Sequence, residues 1–422
     1  MKPTFPMETV KEGAVKVLVP RLDIKEKAPS KAPVFYNPRM KLNRDIAVIV
    51  LKTFQEAADR KLSVAEPMAG CGVRGLRFAA EVENIEKVVI NDLNPEAVKL
   101  AKLNVSKNRL RRKVCVEAMD ANTFLSFHSS PKERFDFVDI DPFGSPAPFI
   151  DSAVRAVRDR GLIALTATDM APLCGVHPAA CIRKYSGRPL RTEYCHELAV
   201  RLLTGCLVLQ SAKHDFGVKI LFSHSTDHYI RVYAQLRRGA EDANKSVEEM
   251  GYILHCFHCL HREPVHGIAA MLDNKCKECG RSLSVAGPLW LGKILSGKFL
   301  SKMFKAAGQG ISRDKRLTRL LDIASVEVCA SPTYFVVDRI SDKLGSPAPP
   351  KSDVIQRLLN LGYRAVPTHF NSRGVKTNAP AKIVKEAVLG AAETKQTTER
   401  HYDDLSNRAS SNIQVTYCKH TY

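Results

Sequence analysis

The chain has 422 residues, too many for one ordinary domain and suited to two or three, and its 45% hydrophobic, 26% charged composition supplies a large core. Basic residues outnumber acidic ones enough to leave a formal charge of +20, which favours a polyanionic partner, nucleic acid first. No apolar run has the length of a transmembrane helix and residues 1–20 lack a signal-peptide core, so secreted and membrane readings are set aside and a cytoplasmic protein is expected.

From about Ser63 to Thr168, short β-branched runs alternate with amphipathic segments of helix length, the pattern of a parallel α/β sheet. Strands are expected at Leu62–Met68, Lys87–Leu93, Lys113–Met119, Phe135–Ile140 and Gly161–Thr168. Helices are expected between them at Val73–Glu83, Pro95–Asn108 and Pro146–Arg158, with both prolines in first turns. A long helix follows at Thr192–Ala212. Val218–His224 and Tyr229–Arg237 then flank the loop Ser225-Thr226-Asp227-His228 as a hairpin. Together these elements predict a seven-strand sheet with one antiparallel strand, resembling the methyltransferase variant of the Rossmann theme.

After Arg238 the texture changes. Gly239–Glu249 reads as a polar linker, and Lys293–Arg319 carries eight Lys/Arg with one acid, Asp314. Within that stretch Leu295, Phe299 and Met303 recur at helical spacing with lysines between, so its basic face is either merely solvated or touches phosphate. Helices at Thr333–Leu344 and Ser352–Leu361, the second capped by Ser352, precede strands at Tyr363–Phe370 and Val375–Asn378 around a turn at Asn371-Ser372-Arg373-Gly374. That order is a winged helix. The last forty-odd residues lose hydrophobic period, and a disordered tail is expected over 392–422.

Three features carry chemistry. Glu66-Pro67-Met68-Ala69-Gly70-Cys71-Gly72-Val73-Arg74-Gly75 leaves a strand and enters a helix, where Gly70 and Gly72 let backbone approach a ligand; a tight βα turn is the plainer reading. Asp92, twenty residues after Gly72, ends the second strand, where a carboxylate can take both ribose hydroxyls. Asp120, followed by Ala121, ends the third, where it can accept from an adenine amine. With neither a full G-x-G-x-x-G nor a phosphate-clamping Lys-Ser/Thr, the loop suits S-adenosylmethionine better than a dinucleotide or triphosphate. In the glycine loop the Arg74 guanidinium is as readily a fork for the methionine carboxylate as a solvated surface charge, whereas Arg44, before the first strand, reads from the residues alone as a solvated charge.

Second, Asp141-Pro142-Phe143-Gly144 directly follows the fourth strand. A nucleobase amine is a poor nucleophile because its lone pair is delocalised into the ring. The Asp141 carboxylate and the Pro142 carbonyl can accept its two N–H bonds and aim that lone pair, while Phe143 stacks on the base. Third, Cys256, Cys259, Cys276 and Cys279 form C-x2-C-x16-C-x2-C, the spacing of a structural four-thiolate Zn2+ knuckle. His255, His258 and His261 crowd the first pair, so one of them could replace a thiolate. Cys174, His177 and Cys181 also have ligand-like spacing, though a loop shaping the active-site mouth is the simpler reading.

These motifs together resemble the tRNA (guanine-26, N2)-dimethyltransferase family from about Glu12 to Lys385. The likeness rests on Phe35-Tyr36-Asn37-Pro38-Arg39-Met40-Lys41-Leu42-Asn43-Arg44-Asp45, the glycine loop, Asp141–Pro146 and Thr166-Ala167-Thr168-Asp169. Pro172-Leu173-Cys174-Gly175, His177-Pro178 and Thr368-His369-Phe370 add to it. The resemblance implies a class I methyltransferase domain over 1–240, whose first 45 residues cover the cofactor, and a tRNA-docking C-terminal domain over 250–385. It implies S-adenosylmethionine held by Arg44, Arg74, Asp92, Asp120 and Ala121, Asp141 as catalytic acceptor, and the target guanine held by Phe35 and Phe143. The expected partner is tRNA, with no membrane and a monomeric enzyme. The rival readings are a methyltransferase acting on protein nitrogen and a non-catalytic, winged-helix nucleic-acid-binding protein.

Overall fold

The structure, a computed structural model, describes residues 3–21, 32–58, 60–312 and 314–393. Strand β1 (Met7–Glu12) pairs with β2 (Val15–Pro20) as an antiparallel hairpin. The alternating segment then supplies β3 (Leu62–Glu66), β4 (Ile85–Asn91), β5 (Val114–Glu117), β6 (Phe135–Ile140) and β7 (Val157–Ala167), and the long hairpin supplies β8 (Phe216–Thr226) and β9 (Tyr229–Arg238). They form one sheet in the order β5-β4-β3-β6-β7-β9-β8, in which only β9 runs against the rest. Sheet order reverses between β3 and β6, so the crevice at their carboxyl ends is the natural ligand site of a doubly wound sheet.

Helices Lys41–Gln55, Val73–Glu81 and Pro95–Lys107 pack together on the sheet, as do Ala121–Phe127, Ile150–Ala156 and Cys195–Ala212. β6, at the centre, is buried at every residue, including Asp136 and Asp139. A buried carboxylate must be paired. Asp136 accepts from the Ser63 amide (2.7 Å) and contacts Arg158 (3.3 Å), whereas Asp139 accepts from Arg74 and Arg231 behind the crevice.

Beyond β9 the structure departs from the linker expected at Gly239–Glu249: Ala240–Glu248 is a helix that buries Ala243 and Ser246 against the sheet's edge hairpin, and the Ser246 hydroxyl receives the Val218 amide (2.9 Å). Its polar composition is that of a helix with one narrow buried stripe. β10 (Met250–His255), β11 (Arg262–His266) and β12 (Ser284–Trp290) make a small antiparallel sheet. The basic stretch becomes helices Gly297–Ala306 and Lys315–Glu327, the first burying Phe299 and Met303.

The winged-helix order is present, with shifted edges. β13 (Phe335–Val336) takes the start of the helix expected at Thr333, which begins instead at Val337 and ends at Leu344. The next helix, Lys351–Asn360, follows Pro350, and Ser352 sits inside its first turn with its hydroxyl on Asp353 (2.9 Å) rather than capping it. β14 (Ala365–Thr368) and β15 (Asn371–Thr377) turn at His369-Phe370, so the predicted turn Asn371–Gly374 is strand. Residues 381–393 are helical and bury Val384, Val388 and Ala391; this helix passes the 385 boundary and includes the first two residues of the predicted tail. The rest of that tail, 394–422, lies outside the described residues. Among the described residues no helix is long and apolar enough to cross a membrane.

Candidate active site

The crevice at the switch point is a cavity of about 460 Å3. Every residue expected to touch cofactor or base lines it: Phe35, Arg44, Gly70, Arg74, Asp92, Asp120, Ala121, Asp141, Pro142 and Phe143, with the exception of Gly72, which lies one residue behind the lining Cys71. The strand ends explain the convergence. β3, β4, β5 and β6 all point their carboxyl ends at one rim, and each is followed by one of the acidic or glycine motifs.

The glycine loop is shaped from both sides. Gly70 has φ +55° and an added Cβ would lie 3.0 Å from the Phe35 carbonyl oxygen, so the backbone passes as close to the N-terminal segment as glycine allows. Asp92 fixes the loop by accepting from the Gly70 amide (2.7 Å) while its other oxygen takes the Asn94 amide (2.9 Å). Asp120 caps helix Ala121–Phe127, accepting from Asn122 and Thr123 amides (3.0 and 3.1 Å), and is exposed at the rim. Asn91, not singled out by sequence, binds three strand ends together: its amide donates to the Pro67 and Met119 carbonyls (2.9 and 3.0 Å) and accepts from the Met119 amide (2.9 Å).

Behind the crevice lies a charged network whose sequence signal is weak, because its members are scattered. Arg74 donates to Asp139 (2.6 Å), to Asn43 (2.9 Å) and to Asp141; Arg231 donates to Asp139, Thr166 and the Tyr233 hydroxyl. Burial alone would push the Asp141 carboxyl up, but Arg74 and Arg231 outweigh it and hold it below the usual carboxylate range. Asp141 is therefore an ionised acceptor. Glu66 is the opposite case: burial lifts its carboxyl to about 8, aided by Asp139 and resisted by Arg74. Arg44 pairs bidentately with Glu12 on β1 (2.6 and 2.7 Å), and Arg77 bridges Glu12 and Asp45 (3.1 and 2.6 Å). Both arginines expected at the methionine carboxylate thus reach the pocket wall, but in this structure their forks are engaged by protein carboxylates.

At the open end, Phe143 is 71% exposed and meets Phe35 edge-on, with ring centroids 4.7 Å apart. The Gly144 amide donates to the Thr168 hydroxyl (2.8 Å) and the Thr168 amide to the Gly144 carbonyl (2.9 Å), clamping the loop after β6 to the end of β7. Ser145, Tyr185 and Asp169 continue that clamp in a chain of 2.8 and 2.6 Å bonds. This cavity suits S-adenosylmethionine: a glycine cradle beside a carboxylate at a strand end, a second acid at the next strand, and an apolar wall of Met68, Leu93 and Phe149.

The four knuckle cysteines converge as their spacing predicts. Sγ of Cys256 lies 3.5 Å from that of Cys279, and Cys259 and Cys276 are 3.4 Å apart, all four donors lying within 4.8 Å of one another. Tetrahedral Zn2+ with bonds of about 2.3 Å needs sulfurs roughly 3.8 Å apart, so the set fits a closed zinc site. The nearby histidines stay outside it: His255 bonds the Tyr194 hydroxyl (3.1 Å) and His261 meets Glu278 (3.1 Å). His177 and Cys181 do not join Cys174. His177 is exposed ahead of helix Pro178–Tyr185, and Cys181 is buried in the main core.

A sheet wound in this order, with its pocket at the reversal and an Asp-Pro-Phe motif at the mouth, places the chain among the class I, Rossmann-type methyltransferases. Within that class the match is specific. Residues 13–389 fit the model of the N2,N2-dimethylguanosine tRNA methyltransferase family, and the chain belongs to it. It is 40% identical over 385 residues to a tRNA (guanine(26)-N(2))-dimethyltransferase of Methanobrevibacter smithii, covering 91% of this chain and 97% of that one. An Aquifex aeolicus relative named for guanine 26 and guanine 27 is 35% identical over 377 residues, covering 88% of this chain and 93% of its own. The solved structure of Trm1 from Pyrococcus horikoshii with S-adenosyl-L-methionine superposes with a TM-score of 0.80 at 34% identity, covering 90% of this chain and 99% of that one.

Proposed function

We propose that the protein methylates the exocyclic N2 of guanine 26 in tRNA, first once and then twice, using S-adenosylmethionine. The observation that carries this is Asp141, an ionised carboxylate held by Arg74 at the mouth of the cofactor-sized cavity and followed at once by the exposed Phe143 ring. S-adenosylmethionine supplies an electrophilic methyl on a sulfonium. Asp92 would accept from its ribose hydroxyls, Asp120 and Ala121 would hold its adenine, and Arg44 and Arg74, which line the same cavity, would supply positive charge near its carboxylate while keeping their own carboxylate partners.

The guanine leaves its stack and is held by Phe35 and Phe143, whose edge-on contact opens to admit it. Asp141 and the Pro142 carbonyl accept its two amine hydrogens, which frees the lone pair from the ring and points it at the methyl. As the N–C bond forms, the nitrogen becomes strongly acidic, and Asp141, though a weak base, takes the proton. The product still carries one N–H, which Asp141 can accept and later take as a proton, so a second transfer remains open with the Pro142 carbonyl left without its hydrogen. Methyl incorporation into unmodified tRNA, set against the same tRNA bearing adenine at position 26, tests the reading; equal incorporation into both would remove guanine 26 as target.

Asp92→Ala should weaken S-adenosylmethionine binding by roughly 1.5–3 kcal/mol, the range of a charge-assisted hydrogen bond. Asp92 also holds the Gly70 amide, so Asp92→Asn, which keeps an acceptor there, should lose less. Calorimetric affinities equal to wild type in both variants would reduce Asp92 to a loop anchor.

The docking surface is assigned to the C-terminal half, with phosphate contact by Lys298 and Lys305, exposed on helix Gly297–Ala306, and by half-buried Lys302. Affinity for tRNA should fall log-linearly with salt, and neutralising the three lysines together should flatten the slope by about 2–3. An unchanged slope would mean that this face is only solvated.

A further inference from the structure

A second group of metal-binding side chains lies apart from both sites above. Cys174, Cys195 and His196 each offer a donor atom, and the three atoms lie within 4.8 Å of one another. All three residues are partly exposed, so an ion can reach them. Cys174 closes the short helix Met170–Leu173 that follows Asp169 at the active-site mouth; Cys195 and His196 open the long helix Cys195–Ala212.

Local backbone explains the convergence. Gly175, at φ +86°, packs so tightly on Leu190-Arg191 that an added Cβ would lie 2.7 Å from the Arg191 nitrogen, which holds the Cys174 turn against the start of the long helix. His196 follows Cys195 directly at the start of the long helix, so that one turn of backbone presents a thiol and an imidazole towards Cys174.

We propose that Cys174, Cys195 and His196 bind a second zinc ion, in a three-ligand site open at its fourth position. Two thiolates and an imidazole match a borderline-soft divalent cation, and tetrahedral Zn2+ would place them about 3.5–3.8 Å apart, inside the observed spread. A disulfide would account for the two cysteines but gives the imidazole no part. Bound there, the ion joins two pieces of the molecule: the loop at the active-site mouth and the long helix of the sheet domain. Tyr194, one residue before Cys195, reaches His255 beside the knuckle, so the two zinc sites flank one segment.

Metal analysis of the full chain, equilibrated with Zn2+ and freed of excess, should give about two zinc ions per chain. Cys195→Ser and, separately, His196→Ala should each hold about one, with the knuckle zinc retained and S-adenosylmethionine affinity unchanged as the sign of an intact fold. Serine is a good helix N-terminal residue, so the first variant keeps the local start of the helix. Loading with Co2+ should give tetrahedral thiolate spectra that lose one component in the same two variants. One zinc per chain in the wild type, unaltered by either substitution, would overturn the site. So would a loss of two titratable thiols without bound metal, which would identify a disulfide.

Discussion

Asp141→Ala should lower methyl transfer to tRNA by roughly 10^2–10^4-fold, because it removes both the acceptor that frees the amine lone pair and the group that takes its proton. The fold should survive the change. Arg74, the partner of Asp141, keeps Asp139 at 2.6 Å and Asn43 at 2.9 Å, so no unpaired charge is left behind it. Affinity for S-adenosylmethionine and for tRNA should stay within a few-fold of wild type, which separates this variant from one that merely unfolds. Asp141→Asn keeps the shape and one acceptor oxygen but cannot take the proton, and should fall between the two. Single-turnover rates near wild type in Asp141→Ala would remove the carboxylate from the chemistry.

Lys376→Met should cost roughly 3–5 kcal/mol of stability, the range for breaking a buried ion pair by deleting one partner. The Lys376 ammonium sits at the junction of the two halves, 2.9 Å from Glu197 on the long helix and 3.0 Å from Glu327, and all three side chains are buried. Arg201 also serves Glu197 (2.8 Å), whereas the other partners of Glu327 among the described residues are His369 (2.6 Å), the Thr368 hydroxyl (2.7 Å) and the His369 amide (3.0 Å).

The same cluster gives the fold a pH signature. Burial would raise the Glu327 carboxyl, but His369 and Lys376 hold it well below its ordinary value of 4.5. Its stabilising contribution is therefore complete above about pH 4.5 and drains away as pH falls below that towards the folded value. Lys376→Met should shrink this acid-dependent loss, because Glu327 then titrates closer to its unfolded value. Chemical denaturation between pH 3 and 7 measures both effects, and an acid limb of equal slope in the two proteins would place the linkage elsewhere.

Period and turn chemistry made the sheet legible in the sequence. β6 was readable to the residue because FDFVDI is a short run rich in aromatic and β-branched residues, entered after Arg134 and closed by an Asp-Pro turn. β7 starts earlier than Gly161 because β-branched Val157 leaves the helix for extended backbone. The candidate site was legible where its residues sit at strand ends in fixed motifs. It was not legible where partners come together only through tertiary contact: Glu12 lies on a hairpin that no pattern announced, yet it takes the forks of both Arg44 and Arg77. Asp139 and Arg231 read as ordinary strand residues until the sheet sets β6 and β9 on either side of β7. In the cysteines, C-x2-C spacing is local and carried the knuckle, whereas Cys174 meets Cys195 and His196 by packing alone.

Two methyl groups on N2 of guanine 26 are what the proposed chemistry requires. Unmodified tRNA should be incubated with the protein and S-adenosylmethionine, digested, and its nucleosides resolved by mass spectrometry, with the modified position read from nuclease fragments. N2-methylguanosine should appear first and N2,N2-dimethylguanosine should replace it, both at position 26. Methyl groups found only on another atom or another base, or label incorporated into protein and none into tRNA, would contradict it.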